Sequence, residues 1–230
     1  MLQILLEIYL VKSFRLPLFL GAALLAFGVV PAAALADSHD TGLGAGLAVE
    51  TSGYGVSLGY TIGGGQQIRL QTGNYSLSHN FDANGNNYNG TLNLSNVRLE
   101  DDIHVAGGPF FVAVGALSNN NKITATANIS GSSVTIGGTT YPAPAGSYVN
   151  GSVTWTNLNP YLGIGGAPLH GSGFGWDAGV AFAGSAKAVV TTNVPGATAA
   201  DIESAQNQIQ NALNVLNTYP VIGIRYVFGF

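Results

Sequence analysis

The clearest pattern in the chain lies in its final segment. Between Tyr219 and Phe230, the residues Ile222, Ile224, Tyr226, Phe228 and Phe230 fall on one side of an extended strand. Val221, Gly223, Arg225, Val227 and Gly229 fall on the other. One face is therefore wholly apolar and ends in aromatics; the other is small except for one arginine. A lipid-facing strand that finishes at a membrane interface has this pattern. As the edge of a soluble sandwich, the same row of large apolar side chains would need a second sheet to cover it.

Similar short, alternating segments recur upstream, separated by Gly, Asn and Pro. They predict strands near 42–50, 54–62, 66–80, 91–105, 109–130, 149–166, 173–192 and 219–230. Short links at Gly63-Gly64-Gly65, Ala106-Gly107-Gly108 and 167–172 alternate with longer ones at 81–90, 131–148 and 193–218. Only Thr51-Ser52-Gly53 is shorter than that alternation expects. Short turns on one side and long loops on the other predict an all-β fold, an eight-stranded antiparallel transmembrane β-barrel with both ends on the short-turn side. Within the last long loop, Ile202, Ala205, Ile209, Ala212 and Leu216 recur at near-helical spacing, with Asp201 and Glu203 in the first turn. A short helix over 199–216 is expected there, either as a cap on the rim or as a partner-binding element.

The alternation also sorts the charges. Arg98, Glu100, Asp102 and His104 share one face of 91–105, opposite Val97, Leu99, Ile103 and Val105. Asp101 interrupts the apolar face, which implies a bulge or a position near the membrane boundary. Arg69 lies opposite Ile68 and Leu70; Asp177 and Lys187 lie opposite Trp176, Val180 and Phe182. With Arg225, these eight residues (Arg69, Arg98, Glu100, Asp102, His104, Asp177, Lys187 and Arg225) are expected to form an ionic network that fills a narrow lumen. An eight-stranded barrel is just wide enough for side chains to fill, and charges held there need partners.

The first residues read as a leader. Lys12 and Arg15 precede an apolar stretch from Leu16 to Val30, and Ala34-Leu35-Ala36 has the small-x-small form of a cleavage site. A signal peptide over 1–36 and a barrel domain over 37–230 follow. Glu7 makes the n-region unusual, which points to a true start nearer Lys12 as the alternative. The remaining chain has five basic residues against ten carboxylates, a net charge of −5. No basic patch offers itself to nucleic acid. Charged residues make up only 8% of the chain, and after the leader no apolar run approaches the length of a membrane helix. There is no cysteine, so neither a disulfide framework nor thiolate chemistry is available.

The strings Asn159-Pro160-Tyr161-Leu162-Gly163-Ile164-Gly165-Gly166, Gly173-Phe174-Gly175-Trp176-Asp177-Ala178-Gly179-Val180-Ala181-Phe182 and Tyr219-Pro220-Val221-Ile222-Gly223-Ile224-Arg225-Tyr226-Val227-Phe228 resemble small proteobacterial outer-membrane barrels of the OmpA, OmpW and opacity types. The resemblance covers essentially all of 37–230 but specifies architecture, not activity. It implies eight strands, a periplasmic C-terminus and exposed loops, and brings no catalytic residue. It also implies that Tyr226, Phe228 and Phe230 serve as the signal read by the barrel assembly machinery.

Candidate chemistry is sparse. His39, His79, His104 and His170 are scattered, without metal-ligand spacing, and only His104 has nearby carboxylates. Gly63-Gly64-Gly65 lacks the Lys-Ser/Thr of a phosphate loop, and the Asn-rich runs at 84–87 and 119–121 lack the carboxylates of a calcium site. The expectation is a monomeric, non-enzymatic structural or surface-interaction barrel of the Gram-negative outer membrane. Its partners would be outer-membrane lipid, lipopolysaccharide and the assembly machinery, with no cofactor. A narrow channel or hydrophobic-solute pathway and a lipid-A-modifying enzyme are the alternatives.

Overall fold

The computed structural model describes residues 42–83, 86–129, 131, 133–213 and 217–230. The expected leader over 1–36 and the helix tail over 214–216 lie outside the described residues. The fold is nearly all antiparallel β, with one helix. Strands β1 (Gly42–Glu50), β2 (Gly53–Gly63), β3 (Gln66–Ala83) and β4 (Asn86–His104) form a meander. The chain continues through β5 (Phe110–Asn119), β6 (Lys122–Ile129), the hairpin β7 (Ser133–Ile136) and β8 (Thr139–Pro142), then β9 (Ser147–Thr154) and β10 (Leu158–Gly166). It ends with β11 (Gly173–Ala181), β12 (Lys187–Thr192), helix α1 (Ala199–Leu213) and β13 (Tyr219–Gly229).

The pairings β5–β4–β3–β2–β1–β13–β11–β10 lead back to β5, so these eight strands make a ring. Closure is partial along β4. Its second half, Asn96–His104, pairs with β5, whereas Asn87–Asn93 pairs with β6. The turn between β2 and β3 shows why glycine is needed at this end. Gly63, Gly64 and Gly65 have φ of 92°, 63° and 80°, a left-handed run that other residues adopt only with strain.

Three of the predicted strands are each two elements. The expected 109–130 is β5 plus β6, 149–166 is β9 plus β10, and 173–192 is β11 plus β12. At the first break, side-chain amides replace strand pairing. The Asn121 N–H donates to Asn119 Oδ1 at 3.0 Å, and the Ser95 N–H donates to Asn121 Oδ1 at 2.9 Å. Beyond the breaks, β6, β9 and β12 join the far halves of β3 and β4 in a sheet that rises over one part of the ring. Strands β1, β2 and β13 do not extend that far. The expected loop at 81–90 is in fact the end of this long β3–β4 hairpin, and 131–148 contains the β7–β8 hairpin.

The upper sheet has its own apolar core. Ile123, Ala125, Ala127, Ile129, Val149, Val153, Ala188 and Val190 pack with Val134 and Ile136 of the small hairpin and with Ile209 and Leu213 of α1. The helix begins as its sequence suggests: Thr198 Oγ1 accepts the Asp201 N–H at 3.2 Å. Its glutamines then cover the open edge of β12. Gln206 Oε1 accepts the Val190 N–H at 3.0 Å, Gln210 Oε1 accepts the Ala188 N–H at 3.4 Å, and Gln210 Nε2 donates to the Ala186 carbonyl. Two side chains one turn apart thus occupy the place of a neighbouring strand, a direct way to seal an edge.

Asp201 clamps the other side of α1. It accepts hydrogen bonds from the hydroxyls of Thr198, Tyr141 and Thr139, the last at 2.8 Å. These bonds hold its carboxyl below the usual aspartate value. A lowered folded-state value means that the stabilisation is complete above the unfolded value of about 3.9 and is lost as pH falls through the folded one. Acidification below pH ~4 is therefore expected to speed hydrogen exchange in α1 before it affects the ring. Asp201→Asn should remove that pH dependence, as read by exchange mass spectrometry.

Candidate functional site

Inside the ring, the two-residue period of each strand delivers alternate side chains to the interior. Glu50 from β1, Arg69 from β3, Arg98, Glu100 and Asp102 from β4, Asp177 from β11 and Arg225 from β13 are all at most 2% exposed. Arg69 is the hub: it meets Asp102, Glu100 and Asp177, each at 2.8 Å. Arg98 pairs with Glu50 at 2.8 Å and Glu100 at 3.1 Å. Arg225 pairs with Asp177 at 2.5 Å and approaches Asp102 at 3.8 Å. Gln71 links two of these groups, donating to Glu50 and accepting from Arg69 Nη1 at 2.9 Å. Ser52 Oγ donates to Glu50 at 2.7 Å.

Aromatic rings fill the space the ions leave. The Phe111 ring meets two guanidiniums, with Arg69 Cζ 5.5 Å and Arg225 Cζ 5.3 Å from its centroid. Arg98 Cζ stands 4.7 Å over Tyr161. Such contacts favour a desolvated cation. Room for these rings comes from glycines on their own and neighbouring strands. A Cβ at Gly165 would collide with the Phe111 ring, and one at Gly163 or Gly179 with the Tyr161 hydroxyl oxygen. Small residues beside large ones let the interior close without voids.

Seven of the eight residues expected in the network are buried inside the ring, and six of those are joined by ion pairs. His104 is the seventh. Its Nδ1 lies 2.8 Å from the Gly108 carbonyl and its ring is tilted against Phe111, centroids 5.2 Å apart, with no ion pair among the described residues. Lys187 is elsewhere. It is exposed on β12, outside the ring, because the break at 182–186 reverses the alternation. Odd-numbered Ala181 and Ala183 are buried up to the slip at 184–185, and even-numbered Ala186, Ala188 and Val190 after it. A one-residue slip sends every later side chain to the other face. Glu50, absent from the expected set, is a full member. Its place on the same face as Gly46 and Ala48 of β1 is the signal that could have found it.

The outside of the ring is the converse of its interior. Leu47, Val56, Leu58, Leu70, Leu99, Val112, Ile164 and Ile222 are each between 41% and 58% exposed. Toward the chain's end of the ring lie Phe110, Phe174 and Phe230, and Tyr226 stacks edge-on with Phe174 and Phe228 at 4.9 Å each. Asp101 stays on this outer face, in unbroken register with Ile68 and Val114, so no bulge turns it away. Apolar patches of this extent are not left against water in soluble monomers.

The molecule is thus an antiparallel β-protein with a charged, side-chain-filled interior and an apolar exterior. Its fold is shared with crystal structures of CarO2 and CarO from Acinetobacter baumannii. The first aligns with a TM-score of 0.55 and 22% identity over 84% of this chain and all of that one. The second aligns with a TM-score of 0.52 and 24% identity over 82% of this chain and 98% of that one. A major outer membrane protein from Thermus thermophilus aligns over 82% of this chain at a TM-score of only 0.38, too low to carry an argument. No protein-family model matches the chain, and no curated protein matches its sequence.

Removing one partner of a buried ion pair strands the other, at a cost of roughly 3–5 kcal/mol. Glu50→Gln and Arg98→Met are each expected to lower stability by about that amount, and the double variant by clearly less than the sum. Urea unfolding midpoints of the detergent-folded protein measure all three.

Proposed function

We propose that this chain is an eight-stranded transmembrane β-barrel of the Gram-negative outer membrane whose lumen is closed by its own side chains. Its role is structural or surface-interacting, not enzymatic. The carrying observation is the inversion of the ordinary arrangement: seven ionisable side chains inside the ring and apolar side chains around its outside. Lipid suits that exterior, and a closed ring leaves no unpaired backbone edge within it.

In this reading the tight turns at Gly63–Gly65 and near Gly107 face the periplasm, with the C-terminal Phe230. The upper sheet and α1 face outward and form the surface that meets other molecules. The leader exports the chain, and Tyr226, Phe228 and Phe230 present the signal to the assembly machinery. The protein works as a monomer in contact with outer-membrane lipid and lipopolysaccharide. The guanidiniums argue for a structural interior, since each carboxylate inside the ring is already held by an arginine.

Purified protein in planar bilayers is expected to insert without producing unitary current steps, and cells lacking it should keep an unchanged lipid A mass spectrum. Steady conductance would replace this reading with a channel, and an altered lipid A would replace it with an enzyme.

A further inference from the structure

Above the ionic plug, where the ring meets the upper sheet, a cleft is lined by Leu92, Leu94, Asn119, Asn121, Trp155, Ala183 and Tyr219. It holds about 310 Å³ of free space counted to its open mouth, and its enclosed part has room for about one water. The walls are aliphatic and aromatic. Besides the Trp155 indole N–H and the Tyr219 hydroxyl, its polar groups are two carboxamides, Asn119 at 4% and Asn121 at 5% exposure.

The orientation of both amides follows from their partners. Asn121 Oδ1 accepts from the Ser95 backbone N–H at 2.9 Å and from Asn96 Nδ2 at 3.0 Å. Asn119 Oδ1 accepts from the Asn121 backbone N–H at 3.0 Å. A backbone N–H can only donate, so the side-chain oxygen must face it and the NH₂ group must face away. Neither NH₂ group donates to another described residue, and neither belongs to the polar atoms wholly sealed from solvent, so both remain open to a molecule entering the cleft. The Tyr219 hydroxyl is already committed, donating to the Thr51 carbonyl at 2.8 Å. Nearby interior carboxamides are also incompletely paired: Asn96 Oδ1 and both polar atoms of Asn159 have no partner among the described residues.

We infer that this cleft is a binding site for the carbonyl end of a neutral, otherwise apolar molecule. The free amide donors call for an acceptor oxygen, and the walls call for a hydrocarbon body. No cationic side chain lines the cleft to balance an anion, and no acidic one to hold an ammonium group. The small enclosed space takes the carbonyl group itself, and the body lies along Leu92, Leu94 and Trp155 toward the mouth. Below the cleft the arginines block further passage, so the site is a dead end and not part of a pore.

The probe is methyl octanoate, an ester that accepts hydrogen bonds and donates none. Trp155 reports binding by fluorescence once Trp176, on the outer face, is replaced in a Trp176→Phe background. In detergent-folded protein, methyl octanoate should produce a saturable change in emission, whereas octylamine should not. Asn121→Asp keeps the oxygen that accepts the Ser95 N–H and deletes the donor, so it should weaken ester binding about tenfold. Ala183→Leu should abolish binding by filling the cleft while leaving the amides untouched, and it keeps the test decisive if the aspartate variant does not fold. Equal binding of octylamine, affinity unchanged in the folded variants, or no saturable change with the ester would each overturn the site.

Discussion

Everything in this structure depends on keeping the guanidinium–carboxylate network complete inside the ring. Ions transferred from water to a protein interior lose solvation worth several kcal/mol each, and only well-placed counter-charges recover it. The three arginines find theirs on β1, β4 and β11, with Arg69 and Arg98 sharing Glu100 and with Arg69 and Arg225 sharing Asp177. The constraint reaches into the sequence at positions that carry no charge. Gly165 must leave room for Phe111, and Gly163 and Gly179 for Tyr161, because those rings occupy the space beside the guanidiniums. Such a network contributes less to net stability than to fixing one arrangement, since any slip in register would leave a buried charge unpaired.

The same ring that hides the charges turns its aliphatic side chains outward. In lipid this is the favourable sense, since the backbone is satisfied within the ring and the outer face needs no partner. Above the ring the logic changes. The upper sheet packs its inner face against α1 and the β7–β8 hairpin as a soluble sheet would, and the glutamines of α1 close the edge that the sheet's incomplete circuit exposes. The asparagines at 119–121 mark the transition, taking over backbone pairing where β5 gives way to β6.

Much of the ring is legible in the sequence because a two-residue period against a buried polar interior is a strong signal. Arg69, Glu100, Asp102, Asp177 and Arg225 follow from counting along single strands, and the helix follows from spacing and its first-turn carboxylates. Counting fails where it crosses an irregularity. It carries Lys187 inward through a break that reverses the faces, and the long segments at 109–130 and 149–166 conceal breaks. At 119–121 the cause is side-chain hydrogen bonding, which composition does not announce. Glu50 shares the inward face of Gly46 and Ala48, but small neighbours on a short strand do not announce that Arg98 reaches back across the ring to meet it.

Whether the ring's outer face meets lipid can be tested on a single strand. The chain has no cysteine, so single cysteines placed on β4 can be spin-labelled without background. In liposomes, labels at Val97, Leu99 and Ile103 are predicted to collide readily with dissolved oxygen and hardly at all with a water-soluble nickel complex. Free access of the nickel complex, in protein that stays dispersed without detergent or lipid, would contradict this: the apolar face would then not be a membrane face.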